Sequence, residues 1–155
     1  MLQLPPTLRD LLALAARLLL GVVLLAHGYQ KLVGQGLGAT SASFARLGVP
    51  LPGLSAAFAG CVETGGGLLL VLGLLTPVAA ALVTVVMLGA GWFAGHWFGG
   101  VTGDDGWELV GVIIAGVLSL AASGPGRFSL VHVLAQRKER ETVGASSACR
   151  GSIPA

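Results

Sequence analysis

The sequence predicts an all-α bundle that crosses a membrane four times, and three observations carry that prediction. Of 155 residues, 54% are hydrophobic and 10% charged, with a mean hydropathy of +0.86, whereas about a quarter of residues are charged in an ordinary soluble domain. Four long apolar stretches are separated by short segments rich in glycine, proline and polar residues. The ionisable residues inside those stretches share helical faces with glycine, as expected where helices turn polar groups inward and approach closely. The chain divides into a transmembrane part, residues 1–130, and a basic, amphipathic segment with a tail, residues 131–155. A lipid bilayer is the expected environment, and no nucleic-acid partner is expected.

The first span is expected over about residues 8–33. Pro5 and Pro6 signal a helix start, with Thr7 and Asp10 in or near the first turn. A cleaved signal peptide is the competing reading, but the apolar run continues past Arg17 and the region before it is barely basic. At 3.6 residues per turn, Arg17, Gly21, Leu24, Gly28 and Lys31 fall on one face, with His27 at its edge. An arginine within a bilayer costs roughly 2.5 to more than 10 kcal/mol. This face should therefore point into a bundle, and another segment should supply a counter-charge for Arg17.

Residues 34–53 read as a connecting loop, interrupted by glycine, serine and two prolines. Within it Phe44, Leu47 and Val49 fit either a short amphipathic piece at the membrane surface or ordinary loop packing. The second span, about residues 54–75, carries Glu63 near its middle, with Gly60 and Gly67 to either side. Glu63 is the expected partner of Arg17. Such a pair either pins two helices together or forms the polar floor of a ligand or proton site. Gly73 can end this helix, and Thr76-Pro77 can begin the next as N-cap and first helical residue.

The third span, about residues 77–98, ends with Trp92, His96 and Trp97, the tryptophans reading as an interfacial belt. After VTGDDG the fourth span covers about residues 107–122, short for a bilayer, with Glu108 in its first turn. GPGRFS stops it, FSLVHVLAQRKERE reads as a basic amphipathic helix, and the last thirteen residues read as a disordered tail. Arg9, Arg127, Arg137, Lys138 and Arg140 fall at one side, against Lys31, Arg46, Asp104 and Asp105 at the other. By the positive-inside rule both termini are cytoplasmic, and His27, Lys31, His96 and Glu108 gather toward the outside of the membrane.

The glycine-spaced H-G-x-x-K ending the first span (Gly21 to Lys31), G-x-x-E-x-x-G-G with L-x-x-G-L-L-T-P (Gly60 to Pro77), and the closing GPGRFSL together resemble the DoxX family of small membrane proteins. The resemblance covers roughly residues 17–130. Members often carry Ser-Leu-Asp or Ser-Ile-Asp after the GPG turn; here Ser129 is followed by Leu130, Val131 and His132, so a role for that aspartate does not carry over. The resemblance implies kinship with a subunit of a thiosulfate:quinone oxidoreductase. It also implies links to membrane thiol and oxidative-stress chemistry with soluble redox partners. The family's polar positions map to Arg17, His27, Lys31 and Glu63, and position adds His96 and Glu108.

Cys61 and Cys149 form no C-x-x-C pair, and no metal-ligand pattern or phosphate loop is present in the sequence. Three functions are compatible with these residues. A quinone-linked redox subunit would use His27, Lys31 or Glu63 on a quinone carbonyl, making quinone the cofactor class this reading admits. A scaffold would recruit soluble redox enzymes on the cytoplasmic side through RKERE. A haem protein would use His27 and His96 from diagonal helices. Gly21, Gly28, Gly60 and Gly67 are the expected helix-packing positions, and glycine faces also admit homo-oligomers.

Overall fold

The computed structural model describes residues 5–93 and 108–123, and every regular element among them is helical. Helix α1 (Pro6–Tyr29) runs on through a π-helical turn, Gln30–Gly34, into α2 (Gly36–Arg46); α3 (Pro52–Leu72), α4 (Thr76–Phe93) and α5 (Glu108–Ser123) come next. Among the described residues three stretches are long and apolar enough to cross a membrane: Pro6–Gly34, Pro52–Leu72 and Thr76–Phe93. The shorter apolar α5 has 16 residues, about 24 Å at 1.5 Å per residue. The expected all-α membrane bundle is thus observed, with spans within a few residues of their expected limits where they are described.

Helix α1 begins as the prolines predict, the amides of Leu8 and Arg9 donating to the carbonyl of Pro5. The long helices form a ring in which α1 packs on α3, α3 on α4, α4 on α5, and α5 back on α1. Its centre is filled by Leu24, Leu70, Val83, Ile113 and Val117, all nearly inaccessible. Large apolar side chains such as Leu19, Leu54 and Val112 point outward. An apolar exterior around an apolar interior suits lipid as the surrounding medium.

The expected glycines are where α1 and α3 touch. A Cβ on Gly21 would meet Gly67 O at 2.9 Å, one on Gly28 would overlap Thr64, and one on Gly60 would meet Leu32 at 2.5 Å. These contacts also set the register. Helices α1 and α3 run antiparallel, with Gly21 level with residues 67–71 and Gly28 level with residues 60–64.

Two local expectations are corrected. Residues 36–46 of the expected loop are helical, and α2 packs against α3 rather than standing apart from the bundle. Its glycine, alanine and serine residues, read as interruptions, are small enough to seat a helix closely. At the α3–α4 turn, Gly73 adopts φ +68 and closes α3 as expected, with Gly73 N donating to Leu70 O and Leu74 N to Leu69 O. Thr76, however, is already helical. Leu75, at φ +46, occupies the cap position and its carbonyl accepts from Ala79 N, while the buried Thr76 hydroxyl makes no hydrogen bond.

Candidate functional site

Glu63 lies on the buried face of α3, its side chain 3% exposed, and its partner is Lys31 rather than Arg17. The Lys31 ammonium donates to both carboxylate oxygens, at 2.7 Å to Oε2 and 2.9 Å to Oε1. The register explains the exchange. Glu63 is level with about residue 27 of α1, so Arg17 sits about ten residues away, ~15 Å along the helix, and Lys31 only about four residues, ~6 Å. Helical side chains lean toward their own N-terminus. In an antiparallel pair Lys31 and Glu63 therefore lean toward each other, while Arg17 and Glu63 lean apart.

Arg17, 2% exposed, reaches the end of α3 instead. Its Nε donates to Leu70 O at 3.1 Å and a terminal nitrogen donates to Val71 O at 3.3 Å. These carbonyls belong to the last turn of α3, where helical acceptors lack intrahelical donors and the helix dipole favours a cation. Arg17→Met should cost about 1–3 kcal/mol by taking the side-chain donor from Val71 O and leaving Leu70 O with the Gly73 amide alone. The measurement is the thermal midpoint of the detergent-solubilised protein; an unchanged midpoint would show that the guanidinium adds nothing to this junction.

The Lys31–Glu63 pair forms the polar end of a cavity of about 400 Å³. The cavity lies where the end of α2, the first half of α3, the second half of α4 and the start of α5 come together. Phe44, Phe58 and Phe93, with Val86, Met87 and Ile113, form much of its apolar wall. Leu47, Phe58 and Val85 line it and are themselves exposed, so the cavity is open at the surface of the bundle. His27 lines it too, and its Nδ1 lies 2.8 Å from the carbonyl of Val23. A carbonyl only accepts, so Nδ1 carries the proton, and Nε2 of the neutral ring is left as an acceptor.

The fold therefore brings His27, Lys31 and Glu63 together and leaves Arg17 at a separate junction. Glu108 is the half-buried first residue of α5, next to Leu109 and Val110 of the cavity wall. His96 lies outside the described residues, as do Trp97, Cys149 and the basic C-terminal segment. Cys61 is a free, exposed thiol. Among the described residues no group of three or more His, Cys, Asp or Glu could hold a metal ion. Phe44, Leu47 and Val49 belong to the cavity wall, which favours packing over a free surface segment. Sequence reasoning missed Phe58, Val86, Met87, Phe93 and Ile113, because apolar residues facing a cavity, a core or lipid look alike in sequence.

Comparison with known proteins agrees with this architecture. Residues 12–97 match the family model described as DoxX, and residues 55–147 match the one described as TQO small subunit DoxD. The chain is 33% identical over 129 residues to an inner membrane protein of Escherichia coli, YphA, covering 79% of this chain and 89% of the relative. It is 36% identical over 138 residues to an uncharacterized membrane protein of Mycobacterium tuberculosis, covering 78% and 80% of the two chains. No solved structure matches. With a helical membrane bundle, the glycine-packed first and second spans, and family matches that each cover more than half of its length, this chain belongs to the DoxX family.

Proposed function

We propose that this protein is a quinone-linked subunit of a bacterial inner-membrane redox system, with the cavity beside Lys31 and Glu63 as its quinone site. The observation that carries the reading is a charge-balanced ion pair at the end of a mostly apolar cavity of about 400 Å³ that is open at the surface of the bundle. That size falls in the usual range of about 300–1,000 Å³ for small-molecule sites. A balanced pair accommodates a neutral ring without leaving a net charge buried. The aromatic walls suit a planar ring, and the exposed side of the cavity gives an apolar tail a way into lipid.

Each polar residue has a distinct role in this site. Two of the three Lys31 ammonium protons are used by Glu63, and the third is available to a ligand carbonyl. His27 offers an acceptor at Nε2 for a hydroxyl proton. Glu63 holds the Lys31 ammonium in place through both carboxylate oxygens, and its remaining lone pairs can take a proton delivered at that end. When bound, a quinone supplies a lipid-soluble carrier of two electrons and two protons. Family membership supports the redox setting, since one matching family model is described as a TQO small subunit. The lysine and arginine distribution favours termini in the cytoplasm and this end of the bundle toward the outside.

The test is native mass spectrometry of the full chain in mild detergent, titrated with a benzoquinone bearing a ten-carbon tail. The intact protein should retain one quinone, and Glu63→Gln should weaken retention by about tenfold or more, the scale of a lost charge-assisted contact. Equal retention by both proteins would overturn the assignment. A wild-type chain that retains no quinone but carries a soluble redox protein would favour the recruiting scaffold instead.

A further inference from the structure

The turn that carries Lys31 is held by a residue from the neighbouring helix α2. Between Gln30 and Gly34 the helix widens, so the amide of Gln35 donates to Gln30 O at 2.7 Å instead of to Lys31 O, the acceptor an α-helix would assign it. The carbonyl of Lys31 accepts instead from Thr40 Oγ1 at 3.0 Å, and the same hydroxyl lies 3.0 Å from Gly36 O. One hydroxyl proton is thus shared between two carbonyls. Thr40 is 3% exposed and is the one buried residue of α2. One helical turn further on, Phe44 lines the cavity.

We propose that Thr40 is the positioning residue of the Lys31–Glu63 pair: its hydroxyl fixes the widened turn from which Lys31 reaches Glu63, so seating α2 on α3 also assembles the polar end of the cavity. A π-helical turn inserts a residue and rotates the rest of the helix by about 100° relative to an uninterrupted α-helix. It is retained only if the released carbonyl finds another donor, because an unbonded buried carbonyl is costly. Thr40 supplies that donor from the next helix. Without the hydroxyl, the turn can relax toward regular α-helix, which returns Lys31 O to the Gln35 amide and turns α2 by about 100° relative to α1; α2 then loses its seat on α3, and the backbone carrying Lys31 shifts with it, out of the short contact with Glu63. The role concerns the same site as the quinone reading, but the ion pair is observable without a ligand.

The chain has two lysines, Lys31 and Lys138, so a Lys138→Arg background leaves Lys31 as the sole lysine. Lysine labelled with 13C at Cε then gives a single side-chain resonance in the full-length, detergent-solubilised protein. Glu63→Gln in that background marks the position of the signal when the pair is broken. Thr40→Val, which keeps the shape and removes the hydroxyl, should move the resonance to or near that position. Thr40→Ser, which keeps the hydroxyl, should leave it with the parent. A Thr40→Val protein that elutes as the parent does and keeps the parent resonance would overturn the proposal. So would a Thr40→Ser protein whose resonance moves, and this arm decides the matter if Thr40→Val does not fold. Quinone retention is read separately, with about a tenfold loss expected in Thr40→Val for one hydrogen bond's worth of placement. A displaced resonance with unchanged quinone retention would leave Thr40 as the positioning residue and count against the quinone site.

Discussion

Lys31→Met should destabilise the bundle by about 3–5 kcal/mol, the usual scale for removing one partner of a buried ion pair. The substitution keeps most of the side-chain volume but leaves the Glu63 carboxylate, 3% exposed, without the ammonium that bonds both its oxygens. The double replacement Lys31→Met with Glu63→Met should recover most of that loss, since an apolar pair of similar volume avoids the desolvation of two charges. Thermal unfolding in detergent, followed by tryptophan fluorescence, measures both. A double variant as unstable as the single one would show that the loss comes from packing around Lys31 rather than from a stranded charge. The double variant also separates stability from function: on the quinone reading it folds and retains no quinone.

Gly67→Val should be comparably severe for a different reason. A Cβ at Gly67 would lie 2.8 Å from Gly21 O, 3.0 Å from Leu25 N and 3.1 Å from Leu24 Cβ. Two of those atoms are backbone and cannot rotate aside, so α1 and α3 must separate along the seam that also aligns Lys31 with Glu63. Overpacking of this kind costs about 1–3 kcal/mol even where side chains can adjust, and a displaced backbone puts the valine at or above the top of that range. Two residues earlier on the same helix, Gly65 is exposed and a Cβ there meets nothing within 4 Å. Gly65→Ala should be neutral or slightly stabilising, as alanine is favoured over glycine in helices by about 1 kcal/mol. The two thermal midpoints, compared directly, make the check. Equal losses at both positions would mean that helix propensity, not the α1–α3 seam, governs the response to added side chains.

The helices and the glycine seam were legible because their causes are local. Hydrophobic runs of membrane-spanning length, helix-starting prolines and a terminating glycine each act within a few residues, and Gly21, Gly28, Gly60 and Gly67 repeat at helical spacing. The helix over Gly36–Arg46 was not legible, because its small residues are poor local helix signals and its stability comes from lying on α3. The cavity wall was hidden for a related reason. Phe58 and Phe93 have the same sequence character whether they face lipid, a neighbour or a void.

The polar residues divide most clearly between the two levels. Residue type alone required that Arg17, His27, Lys31 and Glu63 be drawn inside a membrane bundle, because a charged or strongly polar side chain facing lipid is too costly. Which of them meet depends on how the helices pack. Antiparallel packing sets the levels, the lean of side chains toward their own N-termini sends Lys31 to Glu63 and Arg17 to the end of α3, and Thr40 holds the widened turn in between. Burial cost is a property of each residue and can be read from its type. Partnership depends on helix register and side-chain direction, which exist only once the helices have packed.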